Sequence, residues 1–229
     1  INKQKMLFEV EDLSLTLGNK ELLKNFTTRI LQKDVIAIVG PNGSGKSTLL
    51  KTLLGRMKPT SGKIKQGDFK TGYFDQHREM LDDDKNLMET FCPHGGDRVS
   101  VRGKDMHVYG YLKNFLFPRE FLEKKIGVLS GGEKNRIALA LLFTLEVDIL
   151  ILDEPTNDLD IPTINILEEQ LTNFPGAVII VSHDRYFVDK IAKKLFIFKT
   201  DKHIEESHQQ YSEYLDLEKE LKELDAMEA

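Results

Sequence analysis

Two glycine-rich stretches of the chain have residue types and spacings that could bind phosphate. The first is GPNGSGKST at residues 40–48. Its spacing matches G-x-x-x-x-G-K-[ST], a pattern in which backbone N–H groups surround phosphate oxygens, a lysine adds positive charge and a hydroxyl can bind Mg²⁺. We therefore predict that Lys46 reaches the β- and γ-phosphates of a nucleotide and that Ser47 is a ligand of Mg²⁺. The nucleotide-contacting residues predicted for this phosphate loop are Gly40, Pro41, Asn42, Gly43, Ser44, Gly45, Lys46, Ser47 and Thr48.

The second stretch, LSGGE at residues 129–133, has two interpretations. Ser130 and Glu133 fit the S-x-x-E capping box that opens a helix, and an apolar run follows them. However, Gly131 and Gly132 each cost a helix up to about 1 kcal/mol relative to alanine, and a cap does not need them. Glycine is favoured where the backbone must come close to another group, and a helix N-terminus with exposed N–H groups binds anions. The stretch is either a plain helix start or a second phosphate contact.

Two adjacent carboxylates follow an apolar run that is typical of a buried strand. ILIL (149–152) leads into Asp153 and Glu154, and a cation beside these two groups would relieve their mutual repulsion. We predict that Asp153 is a ligand of Mg²⁺ and that Glu154 is the general base that activates the attacking water. The alternative is a solvated strand end without chemistry.

Two further polar residues come after predicted strands. His183 follows AVIIVS, and beside a nucleotide its ring could contact the γ-phosphate and the attacking water. Gln76 follows the short run GYF, and its amide could reach the metal or the water. Considered alone, each residue has a plain structural explanation.

The elements that must position these residues indicate an α/β fold. VIAIV (35–39), ILIL (149–152) and AVIIV (177–181) are uninterrupted apolar runs, typical of parallel strands buried on both faces. Upstream of them, alternating apolar residues on either side of the turn signal Gly18–Asn19 predict an antiparallel part. We expect a P-loop NTPase core with a mainly parallel buried sheet, and we expect its chemistry in the loops that follow the strands.

The rest of the chain suggests one domain with an insert and a tail. Residues from about 80 to 135 include the aromatic-rich stretch HVYGYLKNFLFPREF (107–121), which predicts a small helical insert with an aromatic core. We expect a single domain over residues 1–205. Residues 206–229 read as an acidic linker or the start of a coiled coil, because Tyr214, Leu217, Leu221 and Leu224 have heptad spacing.

Composition excludes several classes of protein. The longest apolar run, IALALLFTL (137–145), has nine residues, whereas a transmembrane helix needs about 20. The net charge of −5 is carried by the tail, residues 211–229, so composition predicts no strongly basic face for nucleic acid. Because Cys92 is the single cysteine, no intrachain disulfide can form, and we expect a cytoplasmic protein. The start at Ile1, without methionine, suggests a piece of a longer protein.

Taken in chain order, the phosphate loop, Gln76, LSGGE, ILILDEPTNDLD (149–160) and His183 resemble the ATP-binding-cassette (ABC) ATPases over nearly the whole chain. The resemblance implies Mg²⁺-dependent hydrolysis of ATP. It also implies that Ser130, Gly131 and Gly132 contact ATP held by the phosphate loop of a second cassette, so that two cassettes enclose two ATP molecules head to tail. The second cassette would lie in the same full-length chain or in a second copy of this one.

Longer segments narrow the resemblance to one family of ABC proteins. GYFDQHREMLD (72–82), DEPTNDLDIPT (153–163) and VSHDRYFVDKIAKKLFIF (181–198) are similar to the second, C-terminal cassette of tandem ABC-F proteins of the Uup branch. That resemblance implies no membrane domain and a ribosome or DNA as partner through regions outside this chain. One departure is Leu17, which occupies the position of the aromatic residue that stacks on adenine in family members. Selectivity for ATP over GTP is therefore left open.

Two other functional classes share some of these motifs. The ATPase subunit of a membrane ABC transporter would carry every one of the catalytic motifs. The ABC-F alternative is favoured, by resemblance alone, by DEPTNDLD (153–160) and by the tail segment YSEYLDLEKE (211–220). A nucleotide-binding scaffold without catalysis is disfavoured by Glu154 and His183.

Overall fold

The structure of the protein is a computed structural model that describes residues 5–74 and 79–228. The chain forms two compact units. The first consists of residues 1–68 and 177–229, and the second of residues 69–176.

The N-terminal strands of the first unit form an antiparallel sheet. In sheet order they are β2 (Lys20–Leu31), β1 (Met6–Leu17) and β4 (Ser61–Gln66). β1 and β2 form a hairpin that turns at Gly18–Asn19 and places Leu17 opposite Lys20. Most apolar residues of both strands are buried, although Leu17 at the end of β1 is exposed. The antiparallel pairing of the two strands confirms the antiparallel part of the fold.

Parallel strands make up the second sheet of the first unit. β10 (Lys194–Phe198), β3 (Val35–Val39) and β9 (Ala177–Val181) lie side by side in that order, and β11 (Ile204–Ser207) pairs antiparallel with β10 at the edge. Every residue of β3 and β9 is buried, which explains their uninterrupted apolar sequences. The helices α1 (Lys46–Leu53) and α6 (Arg185–Ile191) follow β3 and β9 along the chain.

The C-terminal helix α7 (Tyr211–Glu228) begins in the core of the first unit. Tyr211 packs with Val39 of β3 and Ile197 of β10. One turn later, Lys199 donates a hydrogen bond to the Tyr214 hydroxyl at 2.9 Å, and this bond is the main reason that the pKa of Lys199 is raised. Leu217, Leu221 and Leu224 are about half exposed. Within the described residues no helix combines the length and apolarity that crossing a bilayer requires.

The second unit pairs β5 (Thr71–Tyr73) in parallel with β8 (Ile149–Asp153) and is otherwise mostly helical. Its Tyr111 donates a hydrogen bond to the Ala140 carbonyl at 2.6 Å and packs edge-on against Phe115. Burial raises the pKa of this tyrosine. The predicted aromatic core is therefore confirmed. The helices are α2 (Leu87–Phe91), α3 (Val108–Leu112), α4 (Gly131–Leu142) and α5 (Ile161–Thr172), with short 3₁₀ turns at Lys113–Phe115, Arg119–Glu123 and Ile126–Val128.

The segment predicted as a helical insert also contains a β-hairpin. β6 (Arg98–Val101) pairs antiparallel with β7 (Lys104–His107). The two residues between them, Arg102 and Gly103, have φ values of 48° and 78°, the conformation of a two-residue hairpin turn. This hairpin, which lies beside the helices of the insert, was not predicted, because the turn signal Arg-Gly is weak in sequence.

Candidate functional site

The phosphate loop connects β3 to α1 through a backbone that needs glycine. Gly40, Gly43 and Gly45 have φ values of 151°, 75° and 112°, which side-chain-bearing residues rarely adopt. Gly45 is also the N-cap of α1 and offers no side chain to bond the first N–H groups of that helix. Those N–H groups are therefore oriented to receive an anion.

Two of these glycines also make room for neighbouring strands. A Cβ atom on Gly40 would lie 2.9 Å from Phe198 Cβ of β10, and one on Gly45 would lie 3.0 Å from Leu22 Cβ of β2. The first distance is shorter than a carbon–carbon contact tolerates, and the second leaves almost no slack. The loop is thus held tightly between β2 and β10.

Lys46 folds back into the loop that it follows. Its Nζ lies 2.6 Å from the Gly40 carbonyl oxygen and 3.4 Å from that of Pro41, and the residue is buried. Among the described residues, the buried Ser44 Oγ in the same loop finds no hydrogen-bond partner. A buried lone hydroxyl is costly, so an ammonium group and an unsatisfied hydroxyl in one glycine-rich turn fit an anionic ligand.

His183 follows a strand that is a neighbour of β3. β9 pairs in parallel with β3, with Val181 opposite Ile38, so both strands end at the same edge of the sheet. His183 lies two residues beyond β9 and is exposed, immediately before the N-cap Asp184 of α6. The first unit therefore brings the phosphate loop and His183 to adjacent strand ends.

The second unit carries the two predicted carboxylates at the end of β8. Asp153 is the last residue of the strand, and Glu154 follows it with φ 48° in the left-handed region. Both residues are half-buried. The Asn157 N–H donates to the Glu154 carbonyl at 3.2 Å and closes the turn that follows. Carboxylate and hydroxyl oxygens are ligand types that Mg²⁺ takes, so the chemistry of Asp153 and of the exposed Ser47 fits that ion.

Gln76 lies outside the described residues, and its predicted role in binding metal or water stays a prediction. Among residues 5–74 and 79–228, no cluster of three or more His, Cys, Asp or Glu side chains is arranged to hold a metal by itself.

The LSGGE stretch forms the helix start that its sequence predicts. Ser130 Oγ accepts a hydrogen bond from the Glu133 N–H at 3.2 Å, and the Ser130 N–H donates to Glu133 Oε1 at 2.9 Å. This capping box opens α4. The interpretation as a helix start is therefore correct, but the capping box does not explain the two glycines.

Those two glycines have different surroundings. A Cβ on Gly132 would lie 3.1 Å from Asp160 Oδ2, whereas a Cβ on Gly131 would meet no described atom within 4 Å. Asp160 is the N-cap of α5 and accepts a hydrogen bond from the Thr163 N–H at 2.9 Å. Its hydrogen bonds to Thr163 lower the pKa of the Asp160 carboxyl. Gly132 thus has a packing reason within its own unit, and Gly131 has none there.

One residue at the phosphate loop could not be predicted from the sequence. Lys20, the first residue of β2, donates a hydrogen bond from Nζ to the Gly43 carbonyl at 2.8 Å. The residues lie 23 positions apart in sequence. The available signal was a lysine directly after the Gly18–Asn19 turn, which indicates nothing until the hairpin is placed beside the loop.

Comparisons with known proteins agree with the sequence motifs. The profile of the ABC transporter family matches residues 23–157. The chain is 47% identical over 201 residues to the ATP-binding protein Uup of Haemophilus influenzae, which covers 87% of this chain and 31% of that protein. It is 35% identical over 223 residues to the energy-dependent translational throttle protein EttA of Escherichia coli O6:H1, covering 97% of this chain and 40% of EttA. The chain thus spans well under half the length of these two relatives.

A solved structure shows the same fold. The chain superposes with a TM-score of 0.63 and 22% identity on a dimeric ATP-binding cassette in a post-hydrolysis state with ADP and Pi, covering 88% of this chain and 98% of the other. The predicted α/β class with a mainly parallel sheet and a P-loop NTPase core is confirmed.

Proposed function

The chain belongs to the ABC transporter family of ATP-binding domains, and from this membership we propose that it is an ATP-binding and ATP-hydrolysing cassette of the ABC-F type. We further propose that it works by head-to-tail closure with a second cassette. That cassette is part of the same full-length protein or, for this chain alone, a second copy.

The conformation of the phosphate loop is the observation that carries the proposal. Three glycines at positive φ turn the backbone around the start of α1, Lys46 is held on the loop carbonyls, and Ser44 Oγ is buried without a partner in the described residues. A polyphosphate would satisfy that hydroxyl and the first N–H groups of α1 and would draw the Lys46 ammonium outward.

The proposed chemistry assigns one task to each site residue. Lys46 would neutralise negative charge on the β- and γ-phosphates, and Glu154 would orient the attacking water and accept its proton. Ser47 and Asp153, with Gln76, would hold Mg²⁺, which supplies further charge neutralisation at the phosphates when it is bound. His183 would contact the γ-phosphate.

The second glycine-rich stretch supports the dimeric part of the proposal. Ser130, Gly131 and Gly132 are assigned to the nucleotide of the second cassette, and the open space beside Gly131 leaves its backbone accessible to an outside group. One structural relative is a dimeric cassette with ADP and Pi, which supports the same arrangement here.

The cellular role proposed here is the remodelling of a ribosome or a nucleic-acid structure. It is supported by the similarity to Uup and to EttA, a protein named for its action on translation. The alternative is the ATPase subunit of a membrane transporter. Co-purification of the full-length protein with ribosomes would support the first role, whereas co-purification with membrane proteins would support the second.

Nucleotide binding is tested by thermal unfolding of Lys46→Ala. For the wild-type chain, Mg-ATP at about 100 times its Kd should stabilise the folded state by about 2.7 kcal/mol, a rise in Tm of about 5–10 °C for a chain of this size. Lys46→Ala should lose most of that rise relative to its own ligand-free Tm. Lys51→Ala, in the last turn of the same helix α1, is the control and should keep it. An equal rise in both variants would show that the phosphate loop is not the site.

A further inference from the structure

Lys20 contacts the phosphate loop from a different part of the chain. Its Nζ donates to the Gly43 carbonyl at 2.8 Å. The contact depends on the β1–β2 hairpin, whose register places Lys20 opposite Leu17. The turn of this hairpin therefore lies beside Gly43 of the phosphate loop.

β2 contacts the phosphate loop through two side chains. Lys20 and Leu22 lie at the start of the strand, where its pairing with β1 is irregular. Leu22 is buried and packs where Gly45 has no side chain, whereas Lys20 is exposed and lies at Gly43. Leu22 thus fixes the base of the loop, and Lys20 adds a positive charge at its tip.

We propose that Lys20 is a second cation of the nucleotide site, which positions Gly43 and attracts the polyphosphate of the bound nucleotide. The inference rests on the proposed function, since it assumes that the loop binds a nucleotide. Gly43 is one of the phosphate-loop residues assigned to contact the nucleotide. A charge bonded to its carbonyl is well inside the Debye length of about 8 Å at physiological ionic strength, so its attraction to the phosphates is only partly screened.

The neighbour of Lys20 makes this charge more important. Leu17, opposite Lys20 in the hairpin, is 55% exposed and has no aromatic face on which a base could stack. Contacts to phosphate must then supply a larger share of the affinity than contacts to the base. The site should discriminate between nucleotides by the number of phosphates more strongly than by the identity of the base.

Four variants separate charge from hydrogen bonding. Lys20→Met removes both the charge and the donor, Lys20→Gln keeps a donor without charge, and Lys20→Arg keeps both. Lys24→Met is the matched control, because Lys24 lies in the same strand and pairs with Glu21 at 3.1 Å. The measurement is the Kd of ATP, ADP and AMP for each protein by calorimetry, at low and at high salt.

We expect Lys20→Met to weaken ATP binding by about 10-fold, the size expected for one charge-assisted contact. The loss should be smaller for ADP, near zero for AMP, and reduced at high salt. Lys20→Gln should behave like Lys20→Met, and Lys20→Arg and Lys24→Met should stay close to wild type.

Several results would overturn the inference. An unchanged ATP affinity in Lys20→Met would show that Lys20 has no role in binding. An equal loss for all three nucleotides, or full restoration of affinity by Lys20→Gln, would show that Lys20 has only a structural role in the loop. An equal loss in Lys24→Met would show a general effect of surface charge. If the wild-type chain binds no nucleotide, or if Lys46→Ala binds as well as wild type, the proposed function itself fails and the inference fails with it.

Discussion

Glu154 has an unusual backbone conformation for a residue with a side chain. Its φ of 48° places a residue with a Cβ in the left-handed region, directly after the last residue of β8. Such a conformation costs about 1 kcal/mol or more and persists where the surrounding structure fixes it, often at active sites. Here the turn closed by the Asn157 N–H on the Glu154 carbonyl holds it. The strain is a reason, independent of the sequence motif, to assign Glu154 a chemical role.

Replacement of Glu154 by glutamine tests that role. Glu154→Gln keeps the size and hydrogen-bonding reach of the side chain but cannot accept a proton, so ATP turnover should fall by about 100-fold or more. The rise in Tm with Mg-ATP should remain. Turnover and thermal shift are measured on the same preparation.

A matched variant in the same unit controls for the loss of charge. Glu169→Gln changes an exposed glutamate on α5 and should leave turnover unchanged. If Glu154→Gln hydrolyses ATP as fast as Glu169→Gln, Glu154 is not the general base.

At the scale of single residues, the sequence predicts identities better than contacts. Lys46, Asp153 and Glu154 could be singled out because each belongs to a short motif whose chemistry is known. Lys20 at Gly43 and Asp160 at Gly132 could not, because these contacts join residues that lie far apart in sequence. They depend on hairpin register and on how helices α4 and α5 begin.

The start of α4 combines a structural and a proposed functional role in five residues. Ser130 and Glu133 cap the helix, and Gly132 accommodates Asp160 of α5. These contacts explain the stretch except for Gly131, whose missing side chain faces open space. A glycine without an internal reason in a helical turn is expected where an external group must approach the backbone.

Substitution of Gly131 by alanine separates the two roles. The isolated chain should be unchanged in stability or more stable by up to about 1 kcal/mol, because alanine favours the helix. ATP turnover should nevertheless fall by about 100-fold, since the added methyl group would displace the second cassette's nucleotide by about 1 Å. The measurements are the thermal melt and the turnover of the dimer.

Gly110→Ala is the control for this substitution. Gly110 lies in α3, and a Cβ there also meets no described atom within 4 Å. The control should gain similar stability and keep full turnover. A Gly131→Ala protein with full turnover would leave the capping box as the whole explanation of the stretch.

Elements with strong patterns could be predicted from sequence, and elements that depend on tertiary contacts could not. The buried runs that form β3, β8 and β9 were predicted because parallel strands are apolar throughout. The β6–β7 hairpin was missed because it depends on an Arg102–Gly103 turn with positive φ, and arginine gives no such signal.

At the scale of the whole molecule, the chain carries two glycine-rich stretches and spans a minor part of its relatives. It covers 31% of the Uup protein that it resembles, so most of such a protein lies outside this sequence. We assign the phosphate loop to the chain's own ATP and the start of α4 to the ATP of another cassette. It follows that one copy should bind ATP but hydrolyse it poorly.

The dependence of ATPase activity on protein concentration tests this claim most directly. For the wild-type chain, specific activity should be low in dilute solution and rise as copies pair. Ser130→Arg, which places a bulky cation at the helix start, should bind ATP nearly as well and lose the rise. Asn86→Ala is the control, because it removes the capping box of α2 in the same unit. Loss of a helix cap should lower the stability of either variant by about 1 kcal/mol, but Asn86→Ala should keep the rise of specific activity with protein concentration. A flat wild-type profile at full activity would contradict the account, because it would mean that a single chain completes its own site.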